Sequence, residues 1–108
     1  MEERQPFVYM MASHRNGTLY IGVTSNPIKR IWQHKNNVVD GFSRRHGVHT
    51  LVWYELHHTM ESAILREKQL KNWNRLWKAR LIEGENPEWV DLYSALTPLD
   101  SGLRRNDE

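Results

Sequence analysis

Four polar side chains with complementary chemistry crowd into the first third of the chain. Tyr9 and Tyr20 flank a turn signal at Asn16-Gly17, and Arg30 and His34 follow, one helical turn apart. A hairpin followed by a capped helix would bring all four together, and such a convergence suggests chemistry on a phosphodiester. Hydrolysis of that bond needs an attacking water, stabilisation of charge on the phosphate and protonation of the leaving oxygen. Arginine can fork onto two phosphate oxygens, and histidine can accept or relay a proton near neutral pH. A phenol, with a free pKa of about 10, can position or deprotonate the water once a nearby cation lowers that value. Tyr20 is the candidate for this role, with Tyr9 supporting it from the paired strand. The missing ingredient is a carboxylate for a hard divalent cation, Mg or Mn, which prefers oxygen ligands. Glu67 offers one, in a segment rich in bases at Arg66, Lys68 and Lys71.

The elements that must position these groups can be read from local pattern. Residues 7–13 and 19–24 are rich in strand formers, and Asn16-Gly17 between them reads as a hairpin because both residues tolerate positive φ. Alternation puts Leu19, Ile21 and Val23 on one face, and Tyr20 and Gly22 on the other. Gly22 leaves open space beside Tyr20, which suits the close approach of a substrate, or it relieves crowding between strand and helix. Asn26-Pro27 starts a helix that runs to about Asn36. Residues 37–48, with Gly41 and Gly47, read as a loop, and His49 to His57 as a third strand. Thr59 caps a helix reaching about Trp73, with Ala63, Ile64 or Leu65, and Leu70 as its apolar stripe. Asn74 caps a further helix stopped by Gly84, and Asn86-Pro87 starts a short last helix containing Trp89, Leu92 and Tyr93. The expected architecture is α+β, a three-stranded antiparallel sheet packed with helices over residues 1–96. A flexible tail is expected over residues 97–108.

These residues also resemble a known family, the GIY-YIG endonuclease superfamily in its short, single-domain bacterial branch. The second half of the signature is intact as Tyr20-Ile21-Gly22. The first half reads Phe7-Val8-Tyr9, with its glycine replaced and its tyrosine kept, eleven positions before the second tyrosine. Arg30, His34 and Glu67 fall where the family has its arginine, histidine and metal-binding glutamate. Arg-Glu-Lys-Gln-Leu-Lys-Asn-Trp and Asn-Pro-Glu-Trp follow in order, so the resemblance covers roughly residues 6–94. It implies a metal-dependent DNA endonuclease in which Tyr9, Tyr20, Arg30, His34 and Glu67 are catalytic and Glu67 binds the metal. It also implies that Ser43, Arg44 and Arg45 hold the nucleic-acid backbone, with Lys71, Arg75 and Lys78 extending that surface and Gly22 and Asn86 in support.

Each of these residues also has a plainer explanation. Glu67 and Lys71 make an ordinary i, i+4 helix pair. Arg30 fits a solvated helix face, His34 a partly buried structural histidine, and Asn86 a helix cap that accounts for it fully. The tryptophans, Trp32, Trp53, Trp73, Trp77 and Trp89, fit the bulk of a small core better than platforms for stacked bases. His57-His58 point to opposite faces of an extended chain, and His46 and His49 lack further ligands, so no zinc site is expected.

Composition narrows the classes. A chain of 108 residues supports one domain with a small core. The absence of cysteine excludes a disulfide-linked partner and fits a reducing cytoplasm. No apolar run is long enough to span a membrane, and the polar, acidic first residues are unlike a signal peptide. Residues 26–82 carry eleven Lys/Arg against four Asp/Glu, whereas residues 83–108 carry two against seven. A basic body with an acidic end fits a domain that meets a polyanion such as DNA on one side. Two rivals remain: a nucleic-acid-binding module with lost or weak nuclease activity, and an adaptor in which the motif residues merely maintain the fold.

Overall fold

The computed structural model describes residues 4–38 and 41–96; the segment expected to form a tail lies outside the described residues. The strands β1 (Phe7–Ala12), β2 (Leu19–Thr24) and β3 (Thr50–Leu56) form one antiparallel sheet in the order β2-β1-β3. The α+β architecture expected from the sequence is therefore present. All six residues of the central strand are buried, because helices cover both of its faces. Val8, Met10 and Ala12 pack with Ala63 and Leu70 of α3 (Met60–Lys71) and Ile82 of α4 (Arg75–Glu85). Phe7, Tyr9 and Met11 pack on the other face with Ile31 of α1 (Pro27–Lys35), and with Leu92, Tyr93 and Leu96 at α5 (Tyr93–Leu96).

The helix starts follow their caps. Asn26, Thr59 and Asn74 each accept a hydrogen bond from the backbone N–H three residues on, which satisfies a donor left over at the helix end. The β1–β2 connection departs from a two-residue turn. Only Asn16 takes a positive φ, 62°, and the chain closes through Gly17 N–H to His14 O and Ser13 N–H to Thr18 O. Gly17 is needed for space, since a Cβ there would collide with Ser13 Oγ.

Several local expectations are corrected. The segment read as a loop contains a short helix, α2 (Phe42–His46). Gly84 lies inside α4, which ends at Glu85 with Asn86 as its C-cap. No helix starts at Asn86-Pro87; Asn86 closes a turn that accepts the N–H of Trp89, and Trp89 is held at φ 56°. Of the five tryptophans, Trp53 and Trp89 are buried, while Trp32 is 49 % and Trp77 52 % exposed. Ile64 and Leu65 are exposed too, which leaves Ala63 and Leu70 as the buried stripe of α3.

Register explains Asn86. Met10 pairs with Trp53 but Met11 pairs with Leu51, so Val52 is the extra residue of a β-bulge. A bulge leaves its extra residue out of the ladder, and Asn86 Nδ2 donates to the Val52 carbonyl at 3.0 Å. The same amide donates to Val90 O, and Asn86 Oδ1 accepts from Val90 N–H. Other polar groups join layers in the same way. Asp91 pairs with Lys35 of α1 and accepts the N–H groups of Leu51 and Tyr93. Glu55 accepts from Arg66 Nε and pairs with His57, whose other ring nitrogen lies 2.8 Å from Ser62 Oγ.

Candidate active site

Tyr9 and Tyr20 reach the α1 face of the sheet because both alternate with residues of the opposite core, and α1 then presents Arg30 and His34 to them. Tyr9 faces Gly22 directly across the β1–β2 ladder. Its ring lies over that glycine: a Cβ on Gly22 would come within 2.5 Å of Tyr9 Cζ and closer still to the hydroxyl. The space expected beside Tyr20 is thus filled by Tyr9, and the missing side chain lets the Tyr9 hydroxyl extend over the edge strand β2. There it meets His34 Nε2 at 2.9 Å. The Tyr20 ring lies 5.0 Å from the His34 ring and 6.2 Å from the Tyr9 ring, centroid to centroid. Phe7, where the signature has glycine, is fully buried and stacks on Tyr54.

The electrostatics of this cluster shift the protonation of its members. Burial, with the Tyr20 charge adding to it, pushes the Tyr9 phenol well above the ordinary range despite the opposing pull of Arg30, so Tyr9 stays protonated. Burial also lowers His34, to about 4, and the Arg30 and His49 charges add to the effect. His34 is only 1 % exposed, and this lowering favours the neutral imidazole at pH 7. For Arg30, burial opposes the charge, but hydrogen bonds to Tyr9 and Tyr20 outweigh it and raise the pKa above its usual value. A guanidinium can only donate. The Tyr9 oxygen therefore accepts from Arg30, and the tautomer of His34 sets which partner donates in the 2.9 Å contact between Tyr9 and His34 Nε2.

Glu67 comes from the other layer. Ala63, Glu67 and Leu70 share the sheet-facing stripe of α3, spaced i, i+4, i+7. The Glu67 side chain is accordingly only 14 % exposed, and it pairs with the 55 % exposed Lys71 at 2.7 Å. The i, i+4 pair anticipated as a surface contact does form, but its carboxylate is sheltered. The Glu67 charge adds a small upward push on Tyr9, the least of the influences on that phenol. A depression of about 240 Å³ at the β2 edge is lined by Leu19, Tyr20, Ile21, Lys71 and Lys78. It joins Tyr20, from the α1 face, to the lysine that holds Glu67.

The remaining candidates divide. Arg44 and Arg45 are exposed on α2, and the side chain of Ser43 lies outside the described residues. Arg75 donates to the Gly17 carbonyl and ties α4 to the hairpin. Asn86 is 4 % exposed and spends its amide on Val52 and Val90; this corrects the cap reading and gives a structural reason for the residue. Sequence reasoning missed the scaffold roles of Asp91 and of the Val52 bulge; the sequence signal was the unalternated apolar run Leu51-Val52-Trp53.

Among the described residues no group of three or more His, Asp or Glu side chains could hold a metal ion. A complete protein cage of the zinc type does not fit. A hard cation that keeps waters and takes one carboxylate does fit a single sheltered glutamate such as Glu67. Among the described residues no helix is long and apolar enough to cross a membrane.

Comparison with known proteins identifies the family and the fold. Residues 5–80 match the family described as the GIY-YIG catalytic domain. A UPF0213 protein of Aeromonas salmonicida is 32 % identical over 75 residues, which is 69 % of this chain and 54 % of the relative. A UPF0213 protein of Aeromonas hydrophila is 29 % identical over 76 residues, 70 % of this chain and 55 % of the relative. The chain thus spans about half the length of the curated relatives it matches. The solution structure of a UPF0213 protein from Bacillus halodurans shares the fold with a TM-score of 0.51 at 24 % identity, covering 90 % of this chain and 98 % of that one.

Proposed function

Because the chain belongs to the GIY-YIG family, we propose that it is a metal-dependent DNA endonuclease that hydrolyses phosphodiester bonds. The observation that carries the reading is the contact cluster of Tyr9, Tyr20, Arg30 and His34 at the β2 edge. Arg30 binds the scissile phosphate and is itself oriented by the two phenols. Tyr9 holds its proton and shares a hydrogen bond with neutral His34, which fixes both rings. The task of positioning and deprotonating the water falls to Tyr20. As the water oxygen bonds to phosphorus its proton passes to the Tyr20 oxygen, the bond to the leaving sugar oxygen breaks, and that oxygen takes its proton from solvent water. Glu67 would hold Mg or Mn, which supplies charge stabilisation on the attacked phosphate. Arg44, Arg45, Lys71 and Lys78 contact the backbone of the nucleic acid.

The test incubates the purified protein with branched, nicked, single-stranded and duplex DNA, with magnesium or manganese. Wild type cleaves at least one substrate only when the metal is supplied. Glu67→Gln keeps the fold and, without added metal, the DNA affinity, but its rate with metal falls by about two to three orders of magnitude, the usual loss of one such electrostatic interaction. Wild-type rates from a well-folded Glu67→Gln protein would remove Glu67 from the chemistry. Salt-sensitive DNA binding with no cleavage of any substrate would favour the binding module instead.

A further inference from the structure

We propose that Lys71 couples metal binding to nucleic-acid binding: its ammonium occupies Glu67 in the free protein, and a phosphate drawn to Lys71 and Lys78 releases the carboxylate for the cation. The inference rests on the reading of Glu67 as the metal ligand and adds a positioning residue to it.

Three observations carry it. Lys71 Nζ lies 2.7 Å from Glu67 Oε2, so the oxygen a divalent cation would use already has a cation on it. The two partners differ in freedom. Glu67 is 14 % exposed and held in the sheet-facing stripe of α3, while Lys71 is 55 % exposed on a long stem. The lysine can swing by changing rotamer, whereas the carboxylate cannot follow it. Lys71 and Lys78 together line the depression beside Tyr20, where a phosphate bound by the cluster would lie within reach of both.

The physical argument is competition. An ion pair with one exposed partner is weak enough to exchange, and a phosphate offers Lys71 an alternative anion. While the ammonium remains on Glu67 it also repels an arriving divalent cation at close range. A phosphate therefore strengthens cation binding, and linkage requires the cation to strengthen phosphate binding by the same factor. The free protein would hold the metal loosely, and the complete site would assemble only on the nucleic acid.

The test measures Mn²⁺ binding to the full chain, without DNA, by electron paramagnetic resonance. Wild type binds weakly, Lys71→Met binds about tenfold more tightly once the competing charge is gone, Lys71→Arg stays near wild type, and Glu67→Gln loses the site. Melting curves and circular dichroism establish that each variant is folded. In parallel, fluorescence anisotropy with a labelled phosphorothioate duplex measures the gain in DNA affinity produced by Mn²⁺. That gain is large in wild type and shrinks in Lys71→Met. If Lys71→Met leaves Mn²⁺ affinity unchanged while Glu67→Gln abolishes it, the coupling is overturned and the metal-ligand reading stands. If Glu67→Gln binds Mn²⁺ as wild type does, both fall together.

Discussion

Gly22 shows how one missing carbon can set the geometry of a site. The Tyr9 ring occupies the position where a Cβ would go, so Gly22→Ala must displace the phenol from His34. Overpacking of this kind costs about 1–3 kcal/mol, and a melting curve should show it. Tyr9→Phe keeps the ring and removes only the hydroxyl, so it isolates the hydrogen bond. His34 makes a separate prediction about pH. In the unfolded chain it takes up a proton below about 6.5, but burial and the neighbouring charges hold the folded group at about 4. The unfolded state therefore binds more protons between these values. The His34 contribution to stability is complete above pH 6.5 and is lost as the pH falls towards 4, by up to about 3 kcal/mol. Melting temperatures taken across that window should decline on acidification, and His34→Gln should flatten the slope. An unchanged slope in the variant would mean that other groups govern acid unfolding.

At the scale of elements, the Asn-Pro-Glu-Trp segment works as a clamp. Asn86 satisfies the bulged Val52 carbonyl and both backbone groups of Val90, while the Trp89 indole donates to Glu83. Asn86→Ala leaves a buried carbonyl without this partner and should destabilise the protein by about 2–4 kcal/mol, since an unsatisfied buried group costs its desolvation as well as the bond. Its folded fraction should bind DNA as wild type does. A loss of binding with no change in melting would instead give Asn86 a direct role in the site. The same reasoning separates Glu67 from Lys68 one position on. The carboxylate shares a stripe with Ala63 and Leu70, whereas Lys68 is exposed. That i, i+4, i+7 spacing was present in the sequence and marks Glu67 as a charged residue on a buried face.

At the scale of the whole molecule, the surplus positive charge of residues 26–82 should make DNA binding steeply dependent on salt, because each phosphate contact releases a counterion. Replacing Arg44 and Arg45 together with alanine should lower the slope of log K against log salt by about two if both contact phosphates. Binding that ignores salt in the wild-type protein would favour the adaptor reading over both nucleic-acid readings.

Local order in this chain was legible without its structure. Caps at Asn26, Thr59 and Asn74, the alternation of β2 and the grouping of Arg30 with His34 depend on neighbours within about four residues, and neighbour spacing is what a sequence displays directly. The family signature added Glu67 to the same set. Tertiary structure alone decided which side chains are buried, and with that their protonation. Tyr9 and His34 are 25 residues apart and share a buried hydrogen bond. Asn86 and Val52 are 34 apart and meet because of a bulge in a strand pairing. Glu67 shares its stripe of α3 with Ala63 and Leu70, which pack on the layer opposite the two tyrosines. Burial and pKa are sums over partners brought together by the whole fold, so a local pattern that places a residue on the correct face does not reveal what covers that face.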